Sequence, residues 1–155
     1  MNQKTLGLFF NRFIVILIML LFTAAPVFSA GVRWHRYDTG LALGKKERKK
    51  VFMYFWAEWC KFCEQMEKET LSKPEIASYL NENFVAVKVN SDMEQRIAMK
   101  YFVRGLPTTW FLGERGEKIS NLPGYVSPAM FLPILKYIHT DSYKKMSFKE
   151  FINKK

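Results

Sequence analysis

Val51-Phe52-Met53-Tyr54-Phe55-Trp56 is an unbroken apolar run of strand length, and the chain's only two cysteines, Cys60 and Cys63, follow it directly. Side chains alternate between the two faces of a strand, so a run apolar at every position must be covered on both faces. That requirement excludes a simple helical bundle and a one-faced sheet. It predicts a central strand in a sheet with helices packed on either side. The cysteines are spaced C-x-x-C where such a strand hands over to a helix. A helix N-terminus presents unpaired backbone N–H groups and the positive end of its dipole. Both favour a thiolate on the first cysteine, and two intervening residues let the second sulfur reach back one turn.

The rest of the pattern fits an α/β layout. Arg33 to Tyr37 reads as a short extended lead-in anchored by Trp34. Asp38 or Thr39 is expected to cap a helix running to about Lys49. A helix is predicted from Cys60 to about Leu71, and a second from Glu75 to Asn81 after the Ser72-Lys73-Pro74 break. Phe84 to Val89 is a valine-rich strand. Asp92 or Ser91 opens a helix through Ile97, Met99 and Phe102. Thr108 to Leu112 is a third strand, joined by the Gly113–Glu117 turn to an antiparallel partner ending at Gly124. Ser127-Pro128 starts the last core helix, which Pro133 is expected to kink or shorten. From the strand at 51–56 the order is β-α-β-α-β-β-α, giving two parallel crossovers and a C-terminal hairpin in a mixed sheet flanked by helices. In open α/β sheets sites lie beyond the carboxyl ends of strands, where Cys60 falls. Trp56, Phe84, Phe102, Trp110 and Phe111 are expected in the core.

Residues 1–29 have the layout of a secretory signal peptide. Lys4 and Arg12 precede the apolar stretch Phe13–Phe22, and small residues follow, with Val27 and Ser29 fitting cleavage after Ser29. The alternative is an uncleaved membrane anchor. The apolar run falls short of the ~20 residues a spanning helix needs, which favours cleavage. An exported location, periplasmic or equivalent, changes how the cysteines are read. A single pair so close in sequence closes too short a loop to add much stability, so a redox role is favoured over a structural staple. Zinc would need further ligands, and the two histidines, His35 and His139, lack metal spacing. No cofactor or metal site is expected. The segment after residue 29 carries 22 basic and 14 acidic residues, a formal charge of +8. The charge concentrates in Lys45–Lys50 and in the tail from Lys144 to Lys155. These runs suit solvated helix faces or a weak membrane-surface contact, and an exported chain is a poor nucleic-acid binder.

Trp56-Ala57-Glu58-Trp59-Cys60-x-x-Cys63 and Gly105-Leu106-Pro107-Thr108 together resemble the thioredoxin superfamily. The similarity is greatest to the C-terminal periplasmic domain of the transmembrane reductase DsbD and related exported thioredoxin-like proteins. Thr70-Leu71-Ser72-x-Pro74-Glu75-Ile76 and Asn83-Phe84-Val85 support it, over about residues 33–138. The resemblance implies a thioredoxin fold at residues 30–140, with 141–155 as a basic C-terminal tail. It implies a monomeric thiol–disulfide oxidoreductase acting on protein thiols and disulfides in the reducing direction, and a membrane electron donor of the DsbD or CcdA kind. Pro107 takes the place of the family's cis-proline, which brings Leu106 backbone groups beside the cysteines to pair with an extended substrate. Lys88 occupies the family's place for a buried lysine, with a solvent-pointing side chain as the alternative where the family's aspartate is missing. Where thioredoxins carry a buried aspartate, this chain has Tyr54. The second acidic group of the DsbD domain corresponds to Glu67.

Within that frame Cys60 is the expected nucleophile, with its pKa lowered by the helix end and Lys61 and opposed by Glu58 and Glu64. Cys63 is the buried resolving thiol. Glu67, at i+4 on the same helical face, is placed to take its proton. Trp59 and Phe62 are expected on the docking surface. No histidine lies between the cysteines, which suits a reductant or isomerase better than a strong oxidant. An oxidase, an isomerase and a redox-silent binding module remain as rival readings.

Overall fold

The computed structural model describes residues 31–154. The expected signal segment at 1–29 lies outside the described residues. The chain enters through the two-residue strand β1 (Trp34–His35), followed by helix α1 (Tyr37–Glu47) and the central strand β2 (Lys50–Trp56). Next come α2 (Lys61–Met66), which runs on into a single π-helical turn (Glu67–Leu71), α3 (Pro74–Asn83) and β3 (Phe84–Asn90). A short helix α4 (Gln95–Lys100) leads to the hairpin β4 (Thr108–Leu112) and β5 (Lys118–Pro123). Helix α5 (Pro128–His139), a 3-10 turn (Ser142–Lys144) and α6 (Phe148–Asn153) complete it.

The five strands form one sheet in the order β1-β3-β2-β4-β5. β2 pairs parallel with β3 in the register Val51↔Val85 to Trp56↔Asn90, and antiparallel with β4. The sheet is therefore mixed, with two parallel crossovers and a C-terminal hairpin, as the sequence pattern predicts. One crossover differs from expectation. The two are β1-α1-β2 and β2-α2-α3-β3, whereas the chain after β3 returns antiparallel, since β4 runs opposite to its neighbour β2. Residue periodicity carries no strand direction, so the expected parallel step from β3 to β4 is corrected to an antiparallel return.

Alternation along β2 feeds two cores. Phe52 and Tyr54 point to one face, against Met66, Ile76, Leu80, Phe111 and Phe131. Val51, Met53 and Phe55 point to the other, against Tyr37, Val87, Tyr101 and Leu112. Val51 to Phe55 are buried throughout, and burying each side chain of this size contributes ~1.5–3 kcal/mol. Gly40 lets α1 lie close on the sheet, because a Cβ there would collide with the Val87 side chain.

Several local expectations are corrected. Helix α1 begins at Tyr37 with Arg36 at its N-cap, two or three residues before the expected caps, and Tyr37 is buried in its first turn. Helix α4 starts at Gln95 after Glu94 rather than at Ser91 or Asp92. Asp92 is instead turned back by its backbone N–H bond to Asn90 Oδ1. Pro133 neither kinks the element into two nor ends it, and α5 runs unbroken over 12 residues. The amide that proline lacks would have bonded Ala129, which lies in the exposed first turn, so the carbonyl left without that partner is open to solvent. Phe102 is not a core residue. It adopts φ 54 just past α4, which turns its ring outward to 74% exposure, with the Lys118 ammonium 5.1 Å from the ring centre. Phe84 and Phe111 lie in the core, and Trp34, Trp56 and Trp110 pack half-buried at its margins.

The basic tail is folded. Ser147 and Glu150 form a reciprocal capping box at the start of α6, and Phe148 and Phe151 pack on the Tyr137 ring at 5.4 and 5.3 Å. The Tyr137 hydroxyl donates to the Met146 carbonyl at 2.6 Å.

Candidate active site

The carboxyl end of β2 delivers the chain through Ala57-Glu58-Trp59 to Cys60, which occupies the N-cap of α2 in extended geometry. Cys60 and Cys63 are joined as a disulfide, with Cα atoms 5.2 Å apart. The Cys63 backbone N–H donates to Cys60 Sγ at 3.1 Å, so one of the helix's orphan amides points at this sulfur. The two sulfurs are not equivalent. Cys60 keeps 6% exposure and Cys63 only 1%, so an incoming thiol or disulfide meets Cys60 first.

Around this tip the exposed side chains are Glu58, Trp59, Lys61 and Phe62. Trp59 and Phe62 show 69% and 62% of their surfaces, large for aromatic residues. The Trp59 indole N–H donates to Asp92 Oδ2 at 2.8 Å, which pins the ring against the loop after β3. On the other flank the Leu106–Pro107 peptide bond is cis, with Pro107 buried and Leu106 half-buried. The Pro107 carbonyl accepts from Gly124 N–H at 2.7 Å, and the Thr108 hydroxyl donates to the Gly105 carbonyl at 2.7 Å. Gly124 has φ 88, a left-handed conformation that suits glycine at the end of β5. These bonds hold the proline loop to both strands of the hairpin.

Beneath the disulfide lies a polar group that sequence reasoning only half anticipated. Tyr54 is fully buried, and its hydroxyl donates to the Cys63 carbonyl at 3.2 Å. Burial first, and then the negative charge of Glu67, push the Tyr54 phenol well above its ordinary pKa, so it stays protonated. Glu67 Oε2 receives the Lys88 ammonium at 3.0 Å. Lys88 does not point to solvent: its ammonium lies 4.1 Å from the Trp56 ring centre and 5.8 Å from that of Trp34. A cation against an aromatic face is attracted by the ring quadrupole, and both contacts hold this lysine near the carboxylate. The sequence showed Tyr54 as a departure from a carboxylate and left Lys88 undecided. Their meeting over Glu67 depends on the register of β2 against β3, which places Tyr54 opposite Lys88. Asp92 as the Trp59 partner was missed outright, and no local signal marks it.

The arrangement is suited to one chemistry, the exchange of a disulfide in two steps. A thiolate at Cys60 is favoured by the Cys63 amide, and the second thiol waits behind it. Among the described residues no cluster of three or more His, Cys, Asp or Glu side chains is placed to hold a metal ion.

Comparison with known proteins agrees with this geometry. Residues 37–139 match the family model of the thioredoxin-like domain. The thiol:disulfide interchange protein DsbD of Photorhabdus laumondii is 31% identical over 99 residues, covering 61% of this chain and 17% of that protein. DsbD of Vibrio vulnificus is 34% identical over 104 residues, covering 63% of this chain and 17% of that protein. The chain thus spans about a sixth of the length of the curated relatives it matches. Among solved structures, a thioredoxin from Thermus thermophilus superposes with TM-score 0.64 at 34% identity, covering 70% of this chain and 87% of that one.

Proposed function

This chain belongs to the thioredoxin-like family and carries the dithiol of a thiol–disulfide oxidoreductase, and from that premise we propose that it is exported and reduces disulfides in protein partners. The observation that carries the reading is the asymmetric pair at the tip of α2, with Cys60 reachable and Cys63 sealed behind it. In the reduced protein the Cys60 thiolate attacks a partner disulfide. One partner sulfur leaves as thiolate, and a Cys60–partner bond replaces the bond broken. Cys63 then loses its proton to Glu67, attacks Cys60 Sγ and expels the second partner thiolate. Two electrons pass to the partner, and the Cys60–Cys63 disulfide is left behind. Trp59, Phe62 and the Leu106–Pro107 loop receive the partner's extended chain on either side of the sulfurs. Lys61 and Glu58 set the charge around Cys60.

The reducing direction is supported by the similarity to proteins named thiol:disulfide interchange protein DsbD, and by Lys61-Phe62 between the cysteines. No imidazole is present there to over-stabilise the reduced form. Electrons would come from a membrane protein of the DsbD or CcdA kind. Export is supported by the N-terminal sequence pattern. No helix among the described residues is long and apolar enough to cross a membrane.

The test is the reduction potential of the Cys60–Cys63 couple, read by equilibration with glutathione. A value near roughly −270 mV is expected, and one near roughly −120 mV would make the protein an oxidant instead. Cys60→Ser should abolish turnover of a protein disulfide substrate. Retained biological function in that variant would point to a docking module.

A further inference from the structure

The Cys63 carbonyl accepts two hydrogen bonds from two different elements. One comes from the Tyr54 hydroxyl of β2, the other from the Glu67 backbone N–H one turn along α2. This single oxygen therefore ties together the resolving cysteine and the carboxylate assigned to receive its proton. Glu67 also opens the π-helical turn that ends at Leu71, with the Ser72 N–H reaching back to the Glu67 carbonyl at 3.0 Å. Residues 63 and 67 are joined by an ordinary α-helical bond and the coil widens only beyond Glu67, so the acid sits at the junction of a regular helix with a wider, less regular turn. Tyr54, buried in the most enclosed strand of the sheet, is an external reference for it.

We propose that Tyr54 is a positioning residue for the resolving half of the exchange: its hydroxyl holds the 63–67 turn so that Cys63 and Glu67 face one another, while it takes no proton itself. This rests on the exchange reaction proposed above and deepens it. The groups facing Glu67 are Lys88 from β3 and Tyr54 from β2. On its own helix Glu64 and Lys68 pair with each other at 3.0 Å, both largely exposed. Glu69 is engaged by the Tyr125 hydroxyl and by Gln65. Glu67 is therefore the carboxylate of this helix that pairs inward with Lys88 and bears on the Tyr54 phenol. Resolution depends on a single acid whose placement the tyrosine governs.

The two half-reactions separate cleanly with the aromatic disulfide 5,5′-dithiobis(2-nitrobenzoate). Attack by Cys60 breaks its S–S bond, leaves thionitrobenzoate on Cys60 and releases one coloured thiolate. Attack by Cys63 on Cys60 Sγ releases the second. Stopped-flow absorbance of the fully reduced protein should show Tyr54→Phe with an unchanged first phase and a second phase slowed about fivefold, the size expected for one lost hydrogen bond. Its acid limb should stay at the wild-type pH. Glu67→Gln, with Tyr54 intact, should slow the second phase and remove that acid limb. Tyr54→Asp should add a further titration to it. The proposal is overturned if Tyr54→Phe leaves the second phase at the wild-type rate, if it slows both phases alike, or if Glu67→Gln keeps a wild-type acid limb. The last outcome needs no Tyr54 variant to fold. Failure of the parent reading looks different: both coloured phases behave as described, yet the wild-type protein reduces no protein disulfide.

Discussion

At the scale of single residues, the dithiol tip divides into a reacting centre and a contact surface. Trp59 and Phe62 expose far more apolar area than their own packing requires, and Trp59 is held in place by Asp92. Aromatic side chains of this kind supply much of the binding energy at protein contacts. Replacing both, as Trp59→Ala with Phe62→Ser, should raise KM for a protein disulfide substrate about tenfold. The rate with a small aromatic disulfide should change less than twofold, and steady-state kinetics on the two substrates check it. The placement of Cys60, Cys63, Trp59 and Pro107 was legible in the sequence because it follows from local features: a spacing, a neighbouring strand, a Gly-x-Pro. The pairs that complete the site were not. Trp59 meets Asp92 across 33 residues and Lys88 meets Glu67 across 21, and neither contact exists until the sheet has its register.

At the scale of elements, the last turn of α5 is an acid-sensitive joint. His139 Nδ1 bonds the Tyr79 hydroxyl at 2.9 Å, and its carbonyl accepts from the Lys50 ammonium at 3.1 Å. Burial, and then the charge of Lys50, hold the His139 imidazole below its ordinary pKa, with Asp141 opposing. The folded protein thus disfavours the imidazolium. Stability from this group is complete above about pH 6.5 and is lost as the pH falls through the lower folded value. Asp141 lies below its ordinary carboxylate value, chiefly through the Lys144 ammonium at 3.0 Å, assisted by Lys50. Its contribution is present above about pH 4 and lost on further acidification. Melting temperatures by circular dichroism should therefore fall in two stages between pH 7 and pH 3, and His139→Gln should remove only the first. The existence of each helix and long strand was legible, because periodicity and turn residues report packing. Helix starts were less so. Arg36 and Glu94 occupy N-caps without a side-chain capping bond, so the usual cap residues were a poor guide there, whereas α5 starts at Ser127-Pro128 as the sequence pattern predicts.

At the scale of the whole molecule, the C-terminal segment is part of the fold. Ending the chain at Thr140 removes Phe148 and Phe151 from the Tyr137 ring and the Met146 carbonyl from its hydroxyl. These aromatic residues are half-buried, so a loss of about 1–3 kcal/mol and several degrees in Tm is expected by thermal denaturation. The reduction potential should not move. The α/β class and the C-terminal hairpin were legible in the sequence, whereas the direction of β4 and the docking of the tail depend on contacts distant along the chain. The short strand β1 has one more consequence. Its residues pair with Ala86 and Val87, and Gly31 is bonded to Asn81 near the start of β3, while Cys60 lies past the level of Asn90. At about 3.3 Å per residue, the chain enters roughly 20 Å from the sulfurs. Lys50 draws His139 and Asp141 to that same far pole. An affinity handle, bead or lipid attached ahead of Gly31 therefore leaves the reactive pole facing away from its support, open to bulky macromolecules.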